Sequence, residues 1–264
     1  MTEPQYEVYA IKYAHHARRA AENFIGGDPH DGPMPLDYFV WLIRGGEGGN
    51  AREIVVDTGF SAATAARRQR NHLRCPTEGL RLLGCDAKAV KDVVITHLHY
   101  DHVGNFDLFP AATYHLQDLE MNYATGRHMA QPVFSGAFDL EDVVGMVRNT
   151  YAGRVKFHDG DAQVAPGVSV HLIGGHTMGL QVVRVATRRG WVVLASDASH
   201  FYANMEQVRP FPIVYSVADM VEGYARLREL AESPGHVVPG HDPLVLARYP
   251  APSGALQGIV ARLD

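Results

Sequence analysis

Cysteine is almost missing: the 264-residue chain has two, Cys75 and Cys85. Two thiols cannot staple a disulfide scaffold, and this pair lacks the four-ligand spacing of a zinc finger. A reducing compartment fits that usage. Long apolar runs are absent as well. The densest patch, residues 191–195, falls far short of the ~20 residues that cross a bilayer. Nor is there an excess of positive charge, since 24 Lys and Arg stand against 29 Asp and Glu, a formal net of −5. Nucleic acid, whose phosphates need clustered Lys and Arg, is not the expected partner. The basic runs are short, Arg67-Arg68-Gln69-Arg70 and Arg188-Arg189, and read as a solvated helix face and a turn. Residues 1–5 offer neither the basic nor the apolar stretch of a signal peptide. A soluble, cytoplasmic protein without a membrane partner is expected.

What is present is a globular composition, with 46% hydrophobic and 20% charged residues. No repeat, low-complexity linker or composition break divides the chain, so one domain over residues 1–264 is expected. Residues 26–35, dense in Gly, Pro and Asp, read as a long ordered loop. Strands are expected at 6–13, 38–44, 53–56, 90–96, 113–117, 155–157, 168–173, 180–186, 191–196 and 236–238, with a hairpin-type connection over 44–50. Helices are expected at 61–70, 77–83, 118–124, 140–151 and 217–231, and an irregular stretch at 128–138. The strands are mostly apolar on both faces, which suits sheets covered by helices. A hairpin near 180–196 argues against a plain parallel wind. Periodicity leaves the fold at α/β or α+β.

Histidine is plentiful, at 15. The informative segment is Thr96-His97-Leu98-His99-Tyr100-Asp101-His102-Val103-Gly104-Asn105, directly after an expected strand. Residues two apart project to the same side of an extended chain, so His97 and His99 can grip one ion. Asp101 and His102 can turn toward a second, and Gly104 lets the chain bend. Two such ions would sit about 3.5–4 Å apart, the separation used in two-metal hydrolysis. Three later strand ends beside small residues carry further ligand types: His176 after Gly174-Gly175, Asp197 after Ala195-Ser196, and His241 after Pro239-Gly240. His15, His16, His30, His72, His115, His128, His158, His171 and His236 have no second ligand at metal spacing. His128 stands in a stretch able to cover a pocket. Phe24, Met34 and Leu36 flank the N-terminal loop, as pocket lining or as core.

The run from His97 to His102, followed by His176, Asp197 and His241, resembles the metallo-β-lactamase superfamily with its HxHxDH motif. Val55-Val56-Asp57-Thr58-Gly59 resembles the strand-Asp-x-Gly signature that precedes that motif. The resemblance spans residues 38–243 and implies an αββα four-layer sandwich with metals at one edge. It implies two divalent metal ions: His97, His99 and His176 on the first, Asp101, His102 and His241 on the second, and Asp197 bridging. Zinc is the default, and manganese, cobalt and iron suit the same ligands. Asp57 would fix a ligand's tautomer or the nearby backbone; alternatively it stabilises its own turn.

Within the superfamily the sequence is most similar to the N-acyl-homoserine lactonase group of quorum-quenching lactonases. His-x-His-Tyr-Asp-His-x-Gly-Asn followed by Phe106-Asp-Leu-Phe-Pro110, the N-terminal loop, and Asp197-Ala198-Ser199 carry the likeness. The 23 residues after His241, with Pro250, Pro252 and Gly254, do not read as the helical extension of glyoxalase-II-like thioesterases. The expectation is a dinuclear hydrolase that opens a lactone or related small cyclic ester, metal-activated hydroxide attacking the carbonyl. Alternatives are a thioesterase or cyclic amidase on the same scaffold, and a mononuclear-iron oxidoreductase of the persulfide dioxygenase type. Asp101 and Asp197 are the expected catalytic carboxylates. Where the lactonases carry a tyrosine, three residues after the bridging Asp, this chain has His200, with Tyr202 two further on. His200 is expected to polarise the carbonyl or protonate the leaving group, because imidazole titrates near neutral pH; Tyr202 is the competing candidate. The oligomeric state stays open, a homo-oligomer included.

Overall fold

The structure, a computed structural model, describes residues 5–45 and 52–264. The connection expected at 44–50 lies, past Gly45, outside the described residues, as do residues 1–4. The described residues form two mixed sheets with nine helices. The first sheet takes β1 (Tyr6–His16), β2 (Leu36–Gly45), β3 (Arg52–Val56), β4 (Asn71–His72), β5 (Asp92–Val94), β6 (Thr113–Gln117) and β7 (Val155–His158). The second takes β8 (Ala162–Ala165), β9 (Val168–Leu172), β10 (Gln181–Thr187), β11 (Gly190–Ser196) and β12 (Val237–Pro239); β13 (Val260–Arg262) returns to the first. The orders are β13-β1-β2-β3-β5-β6-β7, with β4 also on β1, and β12-β11-β10-β9-β8. Pairing is parallel from β3 through β7 and between β11 and β12, and antiparallel elsewhere. The helices are α1 (Ala62–Arg68), α2 (Pro76–Leu82), α3 (Tyr100–Val103), α4 (Asp118–Ala124), α5 (Pro132–Ser135), α6 (Leu140–Tyr151), α7 (Tyr202–Glu206), α8 (Val217–Leu230) and α9 (Leu244–Arg248).

Alternation along the first strands divides the apolar residues between two cores. Val8, Ala10, Phe39, Trp41 and Ile43 join Val182, Leu194 and Val238 between the sheets, in one cluster with Met220, Tyr224 and Leu227 of α8. Tyr9, Ile11, Val40 and Leu42 point the other way, against Ala65, Leu80, Val143 and Met146 of α1, α2 and α6. This is the helix–sheet–sheet–helix layering that the resemblance implied. No described helix is long and apolar enough to cross a membrane.

Several readings need correction. The stretch 128–138 is a 3₁₀ turn (Arg127–Ala130) followed by α5, with Pro132 at the helix start. The helix expected over 61–70 stops at Arg68, because Gln69 takes a left-handed backbone (φ 56°) and Asn71–His72 pairs with β1. β5 covers only 92–94. The elements β4, β8, β13, α3, α7 and α9 had no periodicity to announce them. What matters for the site is direction: β3 and β5 run parallel, and β9, β11 and β12 share one direction in the facing sheet. The chain therefore delivers residues 57, 97–102, 176, 197 and 241 past the C-terminal ends of these strands.

Candidate metal centre

The chain leaves β5 after Val94, and His97 and His99 follow before α3 begins at Tyr100; Asp101 and His102 lie in its first turn. His97, His99, Asp101, His102, His176, Asp197 and His241 are brought together and buried. His97 Nε2, His99 Nδ1 and His176 Nε2 are 2.9–3.2 Å from one another. Tetrahedral zinc–nitrogen bonds of about 2.05 Å would set such nitrogens about 3.3 Å apart. His102 Nε2 and His241 Nε2 lie 3.6 and 3.7 Å from Asp101 Oδ2. Asp197 stands between the groups. Its Oδ2 faces His176 Nε2 at 3.3 Å, and its Oδ1 faces His241 Nε2 at 2.9 Å and His102 Nε2 at 3.4 Å.

The outer nitrogens show that this geometry fits a cation. His176 Nδ1 donates to the Ile213 carbonyl, His241 Nδ1 to the Asp37 carbonyl, and His102 Nδ1 to Asp57 Oδ2 at 2.7 Å. Thr96 Oγ1 donates to Asp57 Oδ2, which leaves it to accept from His97 Nδ1 at 3.1 Å. A neutral imidazole has one N–H, so each ring with its outer nitrogen engaged turns a lone pair inward. The facing lone pairs of His97 and His176 repel without a cation between them. His102 Nε2 and Asp197 Oδ1 are fully buried without a hydrogen bond. Burial, reinforced by neighbouring imidazoles, holds His97 and His99 well below the usual histidine range, and burial lowers His176. At His102 and His241 burial acts the same way, but the carboxylates around them, Asp197 first and then Asp101, outweigh it and raise both. Burial would raise Asp197; the facing His241, His200 and His102 outweigh it and keep the carboxyl well below its usual range.

Supporting residues fix the loops. Asp57, expected either to set a tautomer or to stabilise its turn, is bonded to His102 and also accepts from Thr96 N at 2.8 Å. Its backbone is left-handed (φ 61°), as is that of Ser196 (φ 44°), whose Oγ lies 2.9 Å from Thr96 Oγ1. Such strain at two strand ends meeting in one site is a functional signature. Glu120 went unnoticed in the sequence. Its buried carboxyl accepts from Leu98 N at 2.8 Å, Thr177 Oγ1 at 2.6 Å and Gly179 N at 3.1 Å, tying the His97–His99 segment to the His176 loop. Gly240, beside His241, is required because a Cβ there would sit 2.7 Å from the Ser196 carbonyl.

The cluster opens into a cavity of about 400 Å³ whose walls include Leu36, Tyr38, Tyr100, Val133, Ile213 and His200. Three expectations change here. His200 reaches the cluster, with Nε2 2.9 Å from Asp197 Oδ2 and its ring stacked 3.5 Å from Phe211. Burial pushes it down to about 3, against the partial compensation of Asp197, and its Nε2 donates to that carboxylate. Tyr202 is not at the cavity: its ring is buried in the inter-sheet core under the Arg248 guanidinium. Arg68 and Arg70 are not on a solvated helix face; both line the cavity, beside His16 and Arg18. His128 packs with Tyr123, Phe134 and Tyr215, while Val133, Gly136 and Ala137 of its segment reach the wall. Phe24 lies under Arg209 and, like Met34, is not at the wall; His115 pairs with His158 and Asp92, and His171 with Asp161.

A sequence profile of the Metallo-beta-lactamase superfamily matches residues 34–244. The chain belongs to this superfamily. Curated relatives include the N-acyl homoserine lactonase AttM of Azorhizobium caulinodans, 29% identical over 82% of this chain and 85% of that protein. The AttM of Rhizobium johnstonii is 31% identical over 64% of this chain and 65% of its own. Among solved structures, a quorum-quenching N-acyl homoserine lactone lactonase superposes with a TM-score of 0.73 at 22% identity, over 92% of this chain and 93% of that one. At that identity the likeness speaks for the metallo-β-lactamase fold, including the two facing sheets.

Proposed function

We propose that the protein is a dinuclear metal hydrolase that opens a lactone or related cyclic ester, working as one domain in the cytoplasm. One observation carries the reading: the two oxygens of Asp197 face different ligand groups, Oδ2 toward His97 and His176 and Oδ1 toward His102 and His241. In this reading His97, His99 and His176 hold one ion, Asp101, His102 and His241 hold the other, and Asp197 is shared. Two divalent ions, zinc by default, would supply the positive charge that polarises a substrate carbonyl and makes water acidic enough to attack at neutral pH. The chain's own residues do the rest. Asp57 and the Ile213 and Asp37 carbonyls hold the imidazoles in one tautomer. His200 Nε2 holds Asp197, and Asp197 passes the attacking water's proton to the oxygen that leaves when the ring opens. Asp101 is the second carboxylate at the cavity wall. The lactonase names of the relatives point to the same bond type.

The test is metal analysis of the purified protein followed by an acid-release assay on lactones, thioesters and cyclic amides. About two zinc per chain with turnover of a lactone is the expected result. One iron per chain with oxygen uptake overturns the reading, and turnover confined to thioesters or cyclic amides overturns the choice of substrate.

A further inference from the structure

One wall of the cavity is cationic. Arg18, just beyond β1, and Arg68 and Arg70 around the left-handed stop of α1 converge there with the His16 ring and the phenols of Tyr38 and Tyr100. Two of the guanidiniums are engaged by the protein. Arg68 Nη2 pairs with Asp139 at 2.6 Å, and Arg18 Nη2 donates to the Glu22 carbonyl at 2.6 Å, with the Glu22 carboxylate 3.9 Å away. Arg70 is different. Its Nε donates to Tyr100 Oη at 3.1 Å and its Nη1 to the Arg68 carbonyl at 2.7 Å. No carboxylate among the described residues lies within 4.0 Å of it. Asp101, the nearest acidic influence, acts on it only at longer range. A half-buried guanidinium held in place by neutral acceptors keeps its charge without a carboxylate in contact, which favours an anion arriving from solution.

The neighbours are arranged to donate. The Tyr38 and Tyr100 hydroxyls are 3.3 Å apart, and burial pushes Tyr100 up to about 12, so both are intact phenols. His16 is driven down to about 4, first by burial and then by the charges of Arg70 and Arg18, so its ring is uncharged at neutral pH and can still donate one N–H. Tyr38 also touches the candidate centre, its ring 5.1 Å from that of His241. The cationic wall and the reacting end are thus joined through one side chain.

We infer that the substrate carries a carboxylate besides its scissile bond, and that Arg70, backed by Arg18, His16 and Tyr100, binds it. The inference rests on the hydrolase reading for the bond that is cut, but not for the binding. Planar guanidinium suits a planar carboxylate, and a charge-assisted pair of this kind discriminates against a neutral isostere by about ten-fold or more. A small acid-bearing cyclic ester would use this wall, whereas a neutral lactone would leave its charge unmet.

The metal-replete protein should be assayed on γ-carboxy-γ-butyrolactone and on γ-valerolactone, in which a methyl replaces the carboxylate. We expect kcat/KM to favour the acid by about ten-fold or more. Arg70→Gln should abolish most of that preference through KM, and Arg70→Lys, which keeps the charge, should restore part of it and guards against a folding defect. Independently of turnover, calorimetry should show glutarate binding weakened about ten-fold by Arg70→Gln while butyrate binding is not. Glutarate affinity that does not depend on Arg70 overturns the inference, whatever is hydrolysed. If neither lactone is opened and the glutarate effect is present, the lactone reading fails and the carboxylate site stands. Equal turnover of both lactones with no Arg70 effect leaves the lactone reading standing and removes the site.

Discussion

Asp57 shows how far a single side chain acts in this centre. It accepts from His102 and from both donors of Thr96, and does so from a left-handed backbone. Asp57→Asn would present an N–H where an acceptor is needed, so metal affinity should fall about 10- to 100-fold, read by competition with a chelator. His200 and Tyr202 separate equally cleanly. His200→Phe keeps the stack on Phe211 but removes the donor to Asp197, and kcat should fall about ten-fold with metal content unchanged. Tyr202→Phe should leave kcat unaltered, because that hydroxyl does not reach the cavity. A drop in kcat for Tyr202→Phe alone would reverse these assignments. The sequence made the seven candidate ligands legible because each follows a strand end. It could not reveal Glu120, which sits in an ordinary helical stretch and acts on backbone N–H groups whose positions only the fold determines.

At the scale of elements, the long segments were readable and the short ones were not. Residues 140–151 and the hairpin joining β10 and β11 follow from periodicity and turn chemistry alone. The four-residue α3 has no such pattern; it is held by its neighbours, including Tyr13 Oη, which donates to the Asp101 carbonyl at 2.8 Å. β13 exists because it pairs with β1, some 250 residues away in the chain. Packing between elements is correspondingly exact in places. A Cβ at Gly145 of α6 would meet the Phe106 ring at 2.1 Å. Gly145→Ala should cost about 1–3 kcal/mol in denaturant unfolding despite its better helix propensity, because overpacking outweighs propensity. Stabilisation by that substitution would show that the two elements separate more easily than their contact implies.

For the molecule as a whole, pH and metal act through linkage. His16 and His158 are both held near 4, chiefly by burial, against about 6.5 in an unfolded chain. Between those values the unfolded state binds the extra protons, so stability should fall as pH drops from about 6.5 to 4 and be level with respect to these groups above 7. Thermal melts of wild type and His158→Gln across that window check the sign; the variant should lose less on acidification. Stripping the metal should lower the melting temperature, with recovery that grows with added ion concentration, since an ion bound only by the folded state stabilises it by mass action. That two sheets face one another was legible only through the resemblance, because local periodicity says which strands are buried and not which of them meet.

The left-handed residue that ends α1 has one more consequence. A helix advances about 100° per residue, so one further helical residue at Gln69 would swing Arg70 round toward the side where Arg67 lies. Where the Arg70 charge faces is therefore set by a backbone angle at Gln69, a residue that is not among those lining the cavity. A relative could exchange a preference for acids for one for neutral chains by lengthening a helix, with every cavity-facing residue type unchanged.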